Sequence, residues 1–579
     1  MPNSARAPTP ASATCVRYLR TKYEFLHYDQ ALAAGWPIAT GIIEGAARQI
    51  VADRLEISGA RWGLAGAEAV LKLRTVSANG DLEAYWEYHL AGTVSNAKLP
   101  VIPALREWHG GSGSYSYQPG TRIVRSRAHA AALAITAATF ADDLAALTGR
   151  RPVQAVGAAG EVRKGDIFLT LGAPDRTLGR EGYALGSTDR LTVSARTDTG
   201  AFYGTRTVLQ LLKQKRTVPR GTARDWPTKP ERGLMVDVGR KYFTPRWLAA
   251  HIKELAYLKL NYLHLHLHLH LHLSDNQGFR IESASHPEVV SSQHLTKRQV
   301  LDLIALAARY KITVVPEIEA PGHLTAVLAK HPHLRLTDRT GKVREGAIDL
   351  SKPGAYQLIK ELYTEYLKLF PGPYFHIGAD EYGADGNGYP QLLAHARKQH
   401  GPKAGVRDAY LGFVNWANRL VRAHGKTTRA WSDGIHGGNT VTVDRNVILE
   451  YWYTHGLTPQ QHVDNGHRII NASWHPTYYI LGGNTPDTAF GYEKWHADLF
   501  EAGGTLKPHD RARNLGAKLH VWCDLPHLQT QQQVAAGIMQ PLRMLSQQTW
   551  GSVRPAHAWA QFQPIIDTIG RNPAWPKQI

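Results

Sequence analysis

The sequence predicts an α/β protein with a (β/α)8 barrel over residues 228–579, a small α/β layer domain over 96–227 and a mostly helical segment over 1–95. Three observations carry this reading. From Glu231 onward, apolar strand-like runs and amphipathic helical periods alternate eight times in about 350 residues, which suits a closed barrel better than an open sheet. Residues 119–227 alternate on a smaller scale. Asn96–Gln118, with GGSGSYSYQPG, and Arg220–Lys229, with RGTARDWPTK, read as linkers from their Gly, Ser and Pro.

The N-terminal segment holds two helical periods, around Gly45–Leu55 and Ala65–Thr75. In the layer domain Thr121–Arg125, Asp166–Leu171 and Arg190–Ala195 read as strands, and His129–Leu147 and Gly200–Lys213 as helices. The eight barrel runs are Gly233–Val238, Tyr262–Leu273, Ile312–Ile318, Tyr374–Ile377, Thr427–Trp431, Val447–Tyr453, Arg468–Ser473 and Lys518–Trp522. Pro245–Leu258, Lys297–Tyr310, Tyr356–Phe370 and Ala409–Ala423 read as helices between them, and the seventh and eighth units are the least regular.

Composition narrows the function classes. With 43 % hydrophobic and 20 % charged residues the chain is globular. No apolar run reaches the roughly 18 residues of a membrane helix, and no membrane partner is expected. Two cysteines, Cys15 and Cys523, cannot build a disulfide framework or a Cys-based zinc site. The net charge of +19 permits contact with acidic polymers without demonstrating it. Fifteen Trp and 25 Tyr suit a sugar-binding cleft and an aromatic core equally well. The first 25 residues are polar with no apolar export signal, so the chain as written reads as cytoplasmic.

In such a barrel, chemistry sits at the C-terminal ends of the strands. The residues there are, in order, Arg240; Asp275 and Gln277; Glu319 and His323; Asp380 and Glu381; Trp431 and Asp433; Trp452; Tyr478; and Trp522 and Asp524. Carboxylates, an Arg, a His and a ring of aromatics at one mouth are what carbohydrate hydrolysis needs. Aromatic faces stack on the C–H surfaces of sugar rings, and charged groups take the hydroxyls. The adjacent pair Asp380–Glu381 follows a strand in HIGADE, and two carboxylates this close cannot both ionise freely. One of them gains a raised pKa and becomes a proton donor.

The segments VDVGRKYF, LHLSDNQGFRIES, VVPEIEAPGH and FHIGADE, followed in order by Trp431, Trp452, the Tyr478 segment and VWCD, resemble glycoside hydrolase family 20, the β-N-acetylhexosaminidases. The resemblance implies a retaining exo-hydrolase of terminal β-linked N-acetylhexosamine with no metal or organic cofactor. The substrate's own 2-acetamido oxygen attacks C1 and forms an oxazolinium ion. Carried over, Glu381 is the general acid and then the base, and Asp380 holds the acetamido N–H and offsets the positive charge. Tyr478 donates to the acetamido oxygen, with Tyr479 as the alternative. Arg240 grips ring hydroxyls. Gln277 and Asp524 join the substrate contacts. Trp431, Trp452 and Trp522 wall the pocket. Asp275 and His323 stand behind and set the Glu381 pKa, and Glu319 is open between a structural and a functional role.

Many hexosaminidases have Trp-x-Glu where this chain has Trp522-Cys523-Asp524. The shorter acid resembles the lacto-N-biosidase branch, which releases a disaccharide, and that activity stands as the alternative. An inactive sugar-binding protein is more remote.

Two features lie outside this pattern. Residues 263–273 read LHLHLHLHLHL where the family has LHLHLSD, so three Leu-His pairs look inserted. A period-two insertion keeps Leu on one face and His on the other, yet it adds roughly 20 Å of extended chain. It reads as a repeat expansion looped out of the wall; a metal strip of His264, His266, His268, His270 and His272 is the alternative. Residues 1–92 resemble the C-terminal end of a DDE-type insertion-sequence transposase, with Glu44 at that family's last acid. The two upstream Asp ligands are absent, and nine Lys+Arg balance nine Asp+Glu over residues 1–95, so no nucleic-acid partner is expected. The segment reads as an inactive remnant that displaced a signal peptide, since relatives are commonly exported.

Overall fold

Eight parallel strands close a barrel: Glu231–Asp237, Tyr262–His266, Thr313–Glu317, Tyr374–His376, Thr427–Trp431, Ile448–Tyr451, Ile469–Asn471 and Asn514–Trp522. Each pairs with the next, and the eighth pairs with both the seventh and the first. A short strand, Tyr478–Ile480, runs parallel to the open end of the eighth. This computed structural model describes residues 10–22, 27, 30, 33–35, 64–85, 98–266, 278–384 and 386–579. Among them no helix is long and apolar enough to cross a membrane.

The strand sequences explain the layering. On the second strand Leu263 and Leu265 face the helices Pro245–Tyr257 and Lys297–Arg309, while His264 and His266 face the barrel interior, as the period of two requires. The interior is ionic. Arg429 Nη2 lies 2.7 Å from Glu231, Lys518 Nζ 2.5 Å from Glu450 and 3.0 Å from His264 Nδ1. Burial and Lys518 push His264 down to about 3, so it is neutral. Buried charges persist only when paired and hydrogen-bonded, and these are. Helix starts follow their caps: Thr244 before Pro245, and Thr296 boxed with Gln299.

The layer domain is one seven-stranded mixed sheet. In spatial order its strands are Glu107–Ser116, Thr217–Asp225, Tyr183–Ser187, Leu191–Ala195, Ile167–Leu171, Arg122–Ser126 and Val153–Gly157. The two stretches read as linkers, Asn96–Gln118 and Arg220–Lys229, therefore hold much of an edge strand and its neighbour. The backbone ladder does not need side chains, and the glycines serve close approach. A Cβ at Gly221 would lie 2.4 Å from the His109 carbonyl and 2.6 Å from the Trp108 ring. Helix Asp198–Gln214 is buried along most of its length between this sheet and the barrel. Asp225 ties the two together, accepting from Lys259 (2.8 Å), Trp550 Nε1 (2.7 Å) and Tyr183 (2.7 Å).

Two compact units divide the chain, Met1–Val94 and Ser95–Ile579. In the first, helices span Pro10–Thr21 and Leu64–Ala78. The expected period at Gly45–Leu55, with Glu44, lies outside the described residues, as do His268, His270, His272, Asp275 and Gln277.

Candidate active site

The fourth strand ends in a turn that sends two consecutive carboxylates toward one cleft. Gly378, Ala379 and Glu381 have φ of +70°, +73° and +49°. A left-handed backbone costs a non-glycine residue roughly 1–3 kcal/mol and persists only when its surroundings hold it. Here Ala379 N–H donates to Glu319 Oε1 (2.6 Å), the Tyr410 hydroxyl donates to the Ala379 carbonyl, and Glu381 N–H donates to Asp433 Oδ2 (3.0 Å). Gly378 is obligatory, because a Cβ there would sit 1.7 Å from Glu319 Oε2.

Four acids around this turn are driven apart in pKa. Burial raises Asp380, but His323, with Nε2 3.1 Å from Oδ2, outweighs it and holds the carboxyl below its ordinary value. Glu381 is raised, first by lost hydration and then by the neighbouring Asp380 charge. Its side chain remains 44 % exposed at the mouth, 3.5 Å from His323. Glu319 is fully buried, and burial with the Asp380 and Glu317 carboxylates holds it well above the ordinary range, so it is neutral. Asp433 is pushed up to about 6 by burial and by Asp380.

The role left open for Glu319 gains physical content here: it is a neutral prop for the turn. Glu319→Ala should cost about 1–3 kcal/mol by orphaning the Ala379 N–H, whereas Glu319→Gln keeps an acceptor. A raised folded pKa means the wild type loses stability as pH rises from the ordinary carboxylate value toward the folded one. Glu319→Gln should therefore gain on the wild type over that window in urea unfolding at several pH values. Equal, pH-independent losses in both variants would remove the prop.

A cavity of about 110 Å³ lies against the pair, lined by Arg240, Asp380, Glu381, Trp431, Trp452, Trp474, Tyr478, Ile480, Trp522 and Asp524. Of the site residues read from the sequence, His323 stands behind this wall, and Asp275 and Gln277 fall outside the described residues. Arg240 is 5 % exposed, bridging Asp237 (2.9 Å) and Asp524 (3.1 Å) with its guanidinium 5.2 Å from the Trp522 ring. Trp431 floors the cavity and donates to Glu317 Oε1 (2.7 Å). Trp452 donates to Asp433 Oδ1 (3.0 Å), so one acid fixes both this wall and the Glu381 backbone. Tyr478 is the tyrosine that faces the cavity, and its buried hydroxyl makes no hydrogen bond among the described residues. Tyr479 alternates to the other side and bonds Gln529 (3.0 Å).

The sequence reading missed Trp474 and Glu317. Trp474 stacks on Tyr478 (5.4 Å, 18°) and on Trp452 (6.1 Å, 25°), and its only signal was its position three residues past the seventh strand. Glu317 anchors His264, His266, His376 and Trp431 from the barrel interior, invisible without the closed sheet. A second cleft of about 770 Å³ opens from the same Glu381 and Trp452, past Tyr453, Tyr389, Arg344 and His455.

A closed parallel barrel, with an acid pair and an aromatic pocket at the strand ends, defines a class of protein that handles a small polar ligand at one mouth. The chain belongs to glycosyl hydrolase family 20: the profile for the family's catalytic domain matches residues 230–551, and that for its domain 2 matches residues 98–226. It is 32 % identical over 493 residues to the lacto-N-biosidase of Bifidobacterium bifidum, covering 83 % of this chain and 42 % of that protein. It is 31 % identical over 291 residues to a β-hexosaminidase of Porphyromonas gingivalis, covering 45 % of this chain and 37 % of that protein. The chain thus spans less than half the length of these two relatives. A solved exo-β-N-acetylglucosaminidase of Vibrio harveyi, in complex with N-acetylglucosamine, shares the fold with a TM-score of 0.67 at 21 % identity, over 83 % of this chain and 80 % of that one.

Proposed function

We propose that the protein is a retaining exo-glycosidase that removes terminal β-linked N-acetylhexosamine by substrate-assisted catalysis. The observation that carries this is the arrangement of carboxylates in the 110 Å³ pocket. Asp380 is held by His323 and Asp524 by Arg240, so neither lies ready to attack a sugar carbon. Glu381, raised in pKa and open at the mouth, suits a proton donor. A pocket with a donor and, among the described residues, no poised enzymic nucleophile suits a substrate that supplies its own, which is the route of family 20.

In this reading Glu381 protonates the glycosidic oxygen while the 2-acetamido oxygen attacks C1. Asp380, kept anionic, accepts the acetamido N–H and balances the charge of the oxazolinium ion. Tyr478 donates its hydroxyl to the acetamido oxygen. The leaving group departs into the larger cleft, and Glu381, now a base, draws a proton from the water that opens the ring. Arg240 and Asp524 take hydroxyls at the closed end, over walls of Trp431, Trp452 and Trp522. Trp474 backs Trp452 and Tyr478.

The test is hydrolysis of aryl β-N-acetylglucosaminide with retention at C1 and tight inhibition by the thiazoline of N-acetylglucosamine, which mimics the cyclised intermediate. Inhibition no better than by free N-acetylglucosamine would point to an enzymic nucleophile. A second reading, release of a disaccharide, is favoured by the 83 % coverage of this chain by the lacto-N-biosidase match and by Asp524, which is drawn to Arg240 and 40 % exposed. Turnover of aryl β-lacto-N-bioside beside the monosaccharide substrate separates the two. Deleting residues 1–94 should leave kcat unchanged, because Ser95–Ile579 is a compact unit that holds every residue of the pocket. A large fall in kcat with unchanged circular dichroism would show otherwise.

A further inference from the structure

We propose that His286, Glu288 and His331 form a divalent metal site of the zinc class, away from the pocket, that clamps two barrel loops together. His286 precedes the short turn Pro287–Val289 in the loop after the second strand. His331 closes the helix Thr325–Lys330, which begins two residues after His323 in the loop after the third. Glu288 Oε1 lies 2.9 Å from His286 Nδ1 and 3.0 Å from His331 Nε2. One ligand atom from each of the three residues lies within 4.8 Å of the other two. Tetrahedral bonds of about 2.0–2.1 Å place ligands about 3.3 Å apart, so Glu288 Oε1 needs only a small outward shift from each histidine nitrogen.

Two further observations point to a metal rather than a plain ion pair. His286 Nε2 lies 2.9 Å from Glu361 Oε2, and Gln357 holds the other Glu361 oxygen. A carboxylate that accepts the far N–H of a metal-binding imidazole is the recurrent outer support of such sites, fixing ring and tautomer. Each ring nitrogen of His286 thus lies within hydrogen-bond distance of a different carboxylate, Nδ1 of Glu288 and Nε2 of Glu361. A divalent ion would take His286 Nδ1, Glu288 Oε1 and His331 Nε2, leaving His286 Nε2 on Glu361. The side chains are 12 %, 41 % and 20 % exposed for His286, Glu288 and His331, so an ion can enter and water can complete the shell. The buried group His264, Glu317 and His376 differs, since all three side chains are 0 % exposed and water cannot complete a shell there.

The test uses the full chain, untagged and stripped with chelator, titrated with Zn²⁺ alone by calorimetry and with Co²⁺ by visible absorption. The Leu-His run supplies other histidines, so the readout is the difference between variants. His331→Ala and Glu288→Gln should each lower the Zn²⁺ stoichiometry by one and abolish the Zn²⁺-induced rise in Tm. Glu361→Gln should keep the stoichiometry and weaken binding about 10–100-fold. Glu288→Gln is isosteric and exposed, so it reports even if His331→Ala fails to fold. Unchanged stoichiometry in the folded variants, or no saturable Zn²⁺ binding by the wild type, overturns the site.

Discussion

Glu381→Gln should lower kcat at least about a hundredfold on substrates with poor leaving groups, since a positioned general acid contributes about 10²–10⁴. The loss should shrink on aryl substrates whose leaving groups need little protonation. The pH profile carries the same information. Glu381 must be protonated to act, and its pKa lies above the ordinary carboxylate value because of lost hydration and the Asp380 charge. In the wild type kcat/KM should therefore hold as pH rises past the ordinary range and fall as it passes the raised value. In Glu381→Gln that alkaline limb should vanish from the residual activity. Equal losses on both substrate types, with the limb intact, would remove Glu381 from the acid role.

Much of this site was legible because barrel strands end where function sits. The run Thr427–Trp431 coincides with the observed strand, and the others lie within a few residues, except the second, whose continuation past His266 is not described. The residue past a strand end then names a wall of the pocket. What stayed hidden depended on closure or on backbone. Glu317 gains its meaning from three other strands that meet it inside the barrel. The acid pair converges only because Ala379 and Glu381 adopt left-handed backbone, which nothing in their identities announces. The Gly/Ser stretch at Glu107–Ser116 misled because its sheet pairing is a backbone property and its glycines make room for a neighbouring strand. The His286 cluster was equally silent, since its members come from loops 45 residues apart that the barrel brings side by side.

Asp380→Asn should cost about 10²–10³ in kcat, the scale of losing one preorganised electrostatic group. The substitution keeps the shape, and its amide oxygen can still accept from His323, so the loss isolates the charge. That charge has two consequences. It balances the oxazolinium ion, and it is the second-largest cause of the raised pKa of Glu381. Without it Glu381 titrates lower, and the alkaline limb of the residual activity should move to lower pH. A purely structural role would leave the limb in place. Substrate comparison supplies the second arm. The charge-balancing consequence operates only where a 2-acetamido group cyclises, so the wild-type preference for aryl β-N-acetylglucosaminide over aryl β-glucoside should collapse in the variant. Stability above the ordinary carboxylate range should fall, because the Asp380 carboxyl is held below its ordinary value by His323 and its charge contributes there. A folded Asp380→Asn protein that keeps both the acetamido preference and the alkaline limb would overturn substrate assistance and return the search to an enzymic nucleophile.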